Sequence, residues 1–500
     1  MRTFPVFIAF VFAATFLASV SPLRAGTEMV GVERGGVPRF TLNDVILTAL
    51  QRNPDIQRAR QEIERTKGLY LELRADALPR VDATGSFSDQ ASNLSNFTGD
   101  GGNRGGLNSG FDVLDSSYNI RIQASQAIFS GGRIPSQIRS ADFQRDAAYF
   151  SFRNTIDQVI ATVRTQFYQV LLNRELIGVQ EESVNLLRSQ LQDQQNRFDA
   201  GTVPRFNVLQ AQVALSNQQP ELITARNNHR ISQLQLARTI GLDFDPNRGE
   251  GSPLECIGKL TYRPRQIPLA EAIEVAKSRR PFLKAQKANV LSSSAQVGVA
   301  RSGFFPQINV TGGSDVRSSP ISERINDARA GYIFGVSGSW AIWDSGQTYG
   351  RLKQAKSVLT QQKITYDDAV RQIELEVQQA YSNLVQGAEL IRSQQETVGQ
   401  SEEALRLASA RLGAGAGTQL EVLNARVEVT RAQSISLQAL FTYNAAMAEF
   451  DRVTATEVTY SNQLDDPKTR RKLKTDPAPT PPPKPTPLPL NQAGNRQPVR

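Results

Sequence analysis

The 500-residue chain has one cysteine, Cys256, and one histidine, His229. One cysteine excludes an intrachain disulfide in any compartment and predicts a buried or inert thiol. One histidine leaves a histidine-built metal site or a serine–histidine nucleophile without its parts. It lies in NNHR, on a polar helical stretch, and reads as a surface residue. No GxxxxGK[ST] loop occurs, so no phosphate cradle is indicated. GAGAG at 413–417 follows a helix rather than a strand and is no nucleotide fingerprint. GDGGNRGG at 99–106 is one isolated copy of a calcium-repeat-like pattern, which a loop explains better. No enzyme activity, cofactor or metal is expected. A carboxylate hydrolase would require paired acids converging in a pocket, and the sequence marks no such pair.

Long apolar runs are also scarce. After residue 25 nothing approaches the ~20 apolar residues of a membrane helix, so any membrane crossing must be a closed β-barrel. Charge of one sign is absent as well. The formal net charge is +9, but cations alternate with acids except near Lys468–Lys474. Nucleic acid is not an expected partner.

What is present begins with the two ends. Arg2, the apolar run Phe4–Val20 and the small residue Ala25 read as a secretory signal peptide over 1–25. A membrane anchor is the alternative, for which the run is short. At the other end, PAPTPPPKPTPLPL (477–490) favours polyproline II, so 457–500 is expected to be a disordered, Pro-rich tail.

Between the ends the chain is written twice. Pro54 and Pro281 each close a short amphipathic helix (FTLNDVILTALQRNP, IPLAEAIEVAKSRRP), and Pro79 and Pro306 repeat the same 227-residue offset in ALPRV and FFPQI. Further on the offset is 214: Phe129 with Trp343, Glu175 with Glu389, Arg197 with Arg411, Gly201 with Gly415. The 13-residue change falls in a Gly/Asn/Ser-rich stretch, where extra length costs little. Repeat 1 spans 40–241: short helix, strand 81–92, loop 93–117, strand 118–130, long helix 133–199, helix 204–240. A connecting segment, 242–267, follows. Repeat 2 spans 268–456: short helix, strand 307–318, loop 319–330, strand 331–343, long helix 347–412, helix 418–453.

The long helices carry sevenfold apolar repeats, Val163, Val170, Ile177, Val184, Leu191 and Phe198, matched by Val377, Leu384, Ile391, Val398, Leu405 and Leu412. Repeats of this length predict coiled-coil packing. Some 65 residues of helix reach roughly 100 Å, more than a globular core requires. Each helix stops at a glycine turn, Gly201 or Gly415, and a second helix returns. The fold class expected is therefore mainly α with a small β part.

The strands alternate, most clearly Tyr332, Phe334, Val336, Trp340 and Ile342 against Gly335, Ser337 and Ser339. Apolar-out, polar-in strands of about 10 residues suit a membrane barrel. Phe129, Phe304, Phe305, Trp340 and Trp343 at strand ends would form an aromatic girdle. A soluble pair of hairpins packed on the helices is the competing reading. Four strands cannot close a barrel, for which about eight is the minimum. Two copies would give eight strands and three would give twelve.

The paired NP/RP turns, ALPRV and FFPQI, FSGGR and WDSGQ, and the paired AG tips together resemble the TolC family of outer-membrane efflux and secretion channels, over about Phe40 to Val453. The resemblance implies a homotrimer in the outer membrane of a Gram-negative bacterium. It implies a twelve-stranded barrel continued by a long α-helical coiled-coil barrel in the periplasm, serving tripartite efflux or type I secretion. It also implies partners: a periplasmic adaptor (membrane fusion) protein and an inner-membrane transporter. By that resemblance Arg197, Ala200, Gly201, Thr202, Val203, Arg411, Ala414, Gly415, Gly417 and Thr418 mark adaptor-docking tips. Matching LEVLNA to the family pattern places Glu421 and Asn424 at the periplasmic aperture, with Asn207 in the first copy. One of the two family acids is thus neutral here, and Glu421 can also be read as a helix-start carboxylate. A structural coiled-coil envelope protein without channel activity is the alternative function.

Overall fold

The computed structural model describes residues 38–89, 116–242, 254–265, 268–318 and 328–456. The expected signal peptide and Pro-rich tail, and most of both strand-connecting loops, lie outside the described residues. The elements run β1 (Arg39–Phe40), α1 (Leu42–Arg52), α2 (Pro54–Ala75), β2 (Arg80–Asp89), β3 (Ser116–Phe129), α3 (Arg133–Asp199) and α4 (Arg205–Thr239) in the first repeat. The second has β4 (Glu255–Cys256), α5 (Leu269–Arg279), α6 (Pro281–Arg301), β5 (Gln307–Ser318), β6 (Ala328–Ser339), α7 (Gln347–Gly413) and α8 (Gln419–Thr454).

The prolines at the NP and RP sites do not end a helical segment; they break it. A proline at the first helical position has no N–H to lose, so α2 and α6 start at Pro54 and Pro281. Both are helices of more than 20 residues that the repeat pattern had not marked. The two breaks are held differently. Asn53 Oδ1 accepts from the Asp55 and Ile56 amides at 2.8 and 3.1 Å, and its Nδ2 donates to the Thr239 carbonyl at 2.7 Å. Its counterpart Arg280, 4% exposed, instead pairs with Glu376 of α7. Glu376 also meets Arg452 of α8 at 3.5 Å, and Arg452 pairs with Glu449 at 2.6 Å.

The sevenfold repeats pack as expected in mid-helix. Val163, Val170, Val184, Val377, Leu384 and Ile391 are buried, each worth about 1.5–3 kcal/mol of apolar burial. Toward the tips the repeat loosens, and Phe198 is exposed. The second heptad series serves a core of Ile373, Val377, Tyr443 and Phe450; the first serves one of Val163, Phe167, Val170 and Leu236.

Packing is strictly ordered at three levels. Near the tips the helices lie in the order α4, α3, α8, α7; nearer the strands the order is α2, α3, α6, α7. The four long strands form one antiparallel sheet in the order β2, β3, β5, β6. One flank of the chain is therefore β2, α2 and α4, and the other is β6 and α7.

Strand ends differ from expectation. The last strand is Ala328–Ser339, not 331–343, because its ladder with β5 stops at the Gln307–Ser339 pair and Trp340–Trp343 find no partner strand among the described residues. The second runs Ser116–Phe129 rather than 118–130, with a register shift between Ala127 and Phe129. The first is Arg80–Asp89 where 81–92 was expected, its remainder lying outside the described residues. β5 matches 307–318.

Candidate functional site

Both hairpin tips use one backbone solution. Gly201 and Gly415 have φ +74°, left-handed values that L side chains resist. The Thr202 amide donates to the Arg197 carbonyl and the Ala416 amide to the Arg411 carbonyl, each at 2.9 Å, satisfying the helix-end carbonyls. Thr202 Oγ1 reinforces the first tip by donating to the Arg197 carbonyl, and Arg197 pairs with Asp193 at 3.0 Å. At the second tip Arg411 donates to the Ala416 carbonyl at 3.2 Å, and Thr418 Oγ1 caps α8 by accepting from the Glu421 amide at 3.3 Å. Ala200 and Ala414 are the helix caps, while Val203 and Gly417 lie in the turns.

The aperture residues are only partly gathered. Glu421 is exposed and its carboxylate lies 3.9 Å from Arg411, a contact worth about 0–1 kcal/mol in water. Arg411 thus opposes the charge that Glu421 would present. Asn424, one turn after Glu421 on α8, is exposed, and Asn207 is half-buried. Two features nearby were not marked by the sequence. Gln194 of α3 and Gln419 of α8 join the two tips through a buried 3.4 Å hydrogen bond. Arg426, five residues past Glu421, holds buried guanidinium nitrogens without a partner, and burial lowers its pKa. Neither has a motif: the Gln194–Gln419 bond follows from how α8 faces α3.

The sheet separates cleanly into two faces. Cross-strand register aligns Ala83 with Ile122, Gly85 with Ile120, Gly312 with Phe334, and Val310 with Val336. This face is mainly apolar, interrupted by Ser314 and Gln126, and exposed, with Tyr332 at 91% and Phe334 at 70%. The opposite face is polar, carrying Thr84, Arg121 and Asp315 in one cross-strand row. Phe129, Phe304, Phe305, Trp340 and Trp343 are exposed and gather at the helix-proximal end of the sheet, where Trp340 Nε1 donates to the Phe304 carbonyl at 3.2 Å. The turn below them is fixed by Gly131, where a Cβ would lie 2.7 Å from the Ser302 carbonyl oxygen and 2.8 Å from Phe305 Cβ. A second aromatic level, Phe87 paired with Tyr118, sits toward the far end of the apolar face. Its signal was the strand alternation itself.

The sheet with its exposed apolar face is thus continued by two helices of 67 residues. The sequence profile described as outer membrane efflux protein matches residues 45–242 and 272–455. The chain belongs to the outer membrane efflux protein family. The two matched blocks coincide with the two repeats, and the family is one of efflux channels rather than enzymes. Among relatives of this outer membrane efflux protein, the solvent efflux pump outer membrane protein SrpC of Pseudomonas putida is 23% identical over 389 residues, 77% of this chain and 78% of its own. The CmeC outer membrane channel of Campylobacter jejuni superposes with a TM-score of 0.72 at 17% identity, covering 87% of this chain and 88% of its own. The outer membrane protein VceC of Vibrio cholerae gives 0.68 at 16% identity, covering 83% and 95%. At these identities the structural likeness speaks for the fold.

Proposed function

We propose that three copies of this outer membrane efflux protein form the exit duct of a tripartite efflux or type I secretion system. The duct conducts substrates passively from an inner-membrane pump, through the periplasm, across the outer membrane. The observation that carries this reading is the pair of open flanks. Among the described residues, every level ends in an unpaired edge: β2, α2 and α4 on one side, β6 and α7 on the other. β2 runs away from the helices and β6 runs toward them, so β6 of one copy beside β2 of the next continues the antiparallel alternation. α4 and α7 are likewise opposed in direction. Both edge helices carry exposed apolar side chains, Leu209, Val213 and Ile223 on α4 and Ile364, Leu375 and Val385 on α7.

Two different flanks make a heterologous contact, which is finite only if it closes into a ring. Three copies give twelve strands, enough to surround a water-filled lumen. The apolar face then meets lipid, and the aromatic collar of Phe129, Phe304, Phe305, Trp340 and Trp343 sits at the periplasmic interface. The helices project into the periplasm, where the Gly201 and Gly415 tips, with Arg197 and Arg411 beside them, dock an adaptor. Three Glu421 side chains, tempered by Arg411, border the aperture.

The test is direct. Detergent-purified protein should have the mass of three chains by light scattering and should add stepwise conductance to planar bilayers. Recovery as a soluble periplasmic monomer would overturn the reading.

A further inference from the structure

The polar face of the sheet is not uniformly charged. Nearest the helices, Arg80 pairs with Asp82 at 2.8 Å, and further out Arg121 pairs with Asp315 at 3.4 Å. One row beyond, Arg317 of β5 stands directly opposite Arg329 of β6. Across the sheet that row continues only to Asn119 and Ser86. Both arginines are exposed, and among the described residues neither has an ion-pair partner. Like charges directly opposite on neighbouring strands destabilise a sheet. The fold therefore tolerates a cost here that the inner arginines avoid, Arg80 by meeting Asp82 two residues along its own strand and Arg121 by meeting Asp315 across the row.

Position gives the pair a use. Arg317 lies ten residues along β5 from Gln307, roughly 33 Å from the helical end. It shares the polar face with Arg121 and Asp315, so in a closed barrel it points into the lumen, away from lipid. We propose that Arg317 and Arg329 form a six-arginine ring at the outer mouth of the barrel that binds phosphate-bearing polyanions and favours anionic cargo at the exit. This rests on the three-chain duct proposed above. Guanidinium groups bind phosphate oxygens through paired N–H donors, and rings of arginine or lysine select anions in pores.

The experiment uses full-length protein in detergent with inositol hexakisphosphate as probe, alongside light scattering. Wild type should bind one probe per three chains, with affinity falling as salt rises. The double variant Arg317→Gln/Arg329→Gln should lose about tenfold or more in affinity, whereas Arg317→Lys/Arg329→Lys, which keeps the charge but not the paired donors, should fall between it and wild type. A three-chain particle that binds no probe, or binds it equally well in the glutamine variant, overturns the ring and leaves the duct standing. A particle that is not three chains overturns the duct reading, and the ring falls with it.

Discussion

Glu376 sits between two guanidinium groups, those of Arg280 and Arg452. Burial alone would raise its pKa, but attraction and hydrogen bonding from Arg280 prevail and hold the carboxyl below its usual value of 4.5. A group with a depressed folded-state pKa stabilises the protein above its unfolded value and loses that contribution as pH falls further. Thermal stability should therefore drop steeply below about pH 4.5 in wild type, where Glu376 is the ion pair's acid. In Glu376→Gln the melting temperature should start lower and the acid limb should flatten, which a melting series from pH 6 to 3 will read. Cys256 offers a second check. Burial pushes its thiol up to about 12, so an alkylating reagent at pH 8 should leave it unmodified in the folded protein and label it fully in denaturant.

At the scale of elements the tips are the sharpest case. Replacing Gly201 or Gly415 with alanine forces a side chain into a left-handed conformation, at a cost of about 1–2 kcal/mol. Hydrogen exchange should then quicken in the last turns of α3 or α7 while the helix middles, held by Val163 and Val377, stay protected. These glycines, the 67-residue helices and the doubled plan were all legible in the sequence, because backbone demand and heptad burial leave local, periodic marks. The α2 and α6 helices were not. Their charged and small residues give no clear stripe, and proline at their first position reads equally well as a stop. The Arg280–Glu376–Arg452 cluster was hidden for another reason: its members lie on three elements, 76 to 172 positions apart, and meet only through packing. The Arg317–Arg329 pair sits between the two cases. Both residues are visible in alternating strands, yet their opposition depends on register. Arg411 beside Glu421 likewise had to be seen to be counted.

For the whole molecule, the proposed three-chain assembly depends on two unlike flanks. Placing one charge within the exposed α4 stripe, as in Val213→Asp or Ile223→Asp, should leave the chain's own cores intact while excluding a neighbouring α7. The expected outcome is native helix content by circular dichroism with loss of the three-chain particle by light scattering. Persistence of that particle in the Val213→Asp/Ile223→Asp double variant would exclude α4 as the contact surface.

Unlike flanks also have a genetic consequence. A subunit spoiled on one side still offers its sound side to a wild-type neighbour, so it is recruited rather than ignored. In a ring of three, cells making equal amounts of both forms would retain about one-eighth of their assemblies fully intact. Variants of the α4 or β2 edge should therefore be dominant over the normal gene, whereas a chain that never folds should be recessive.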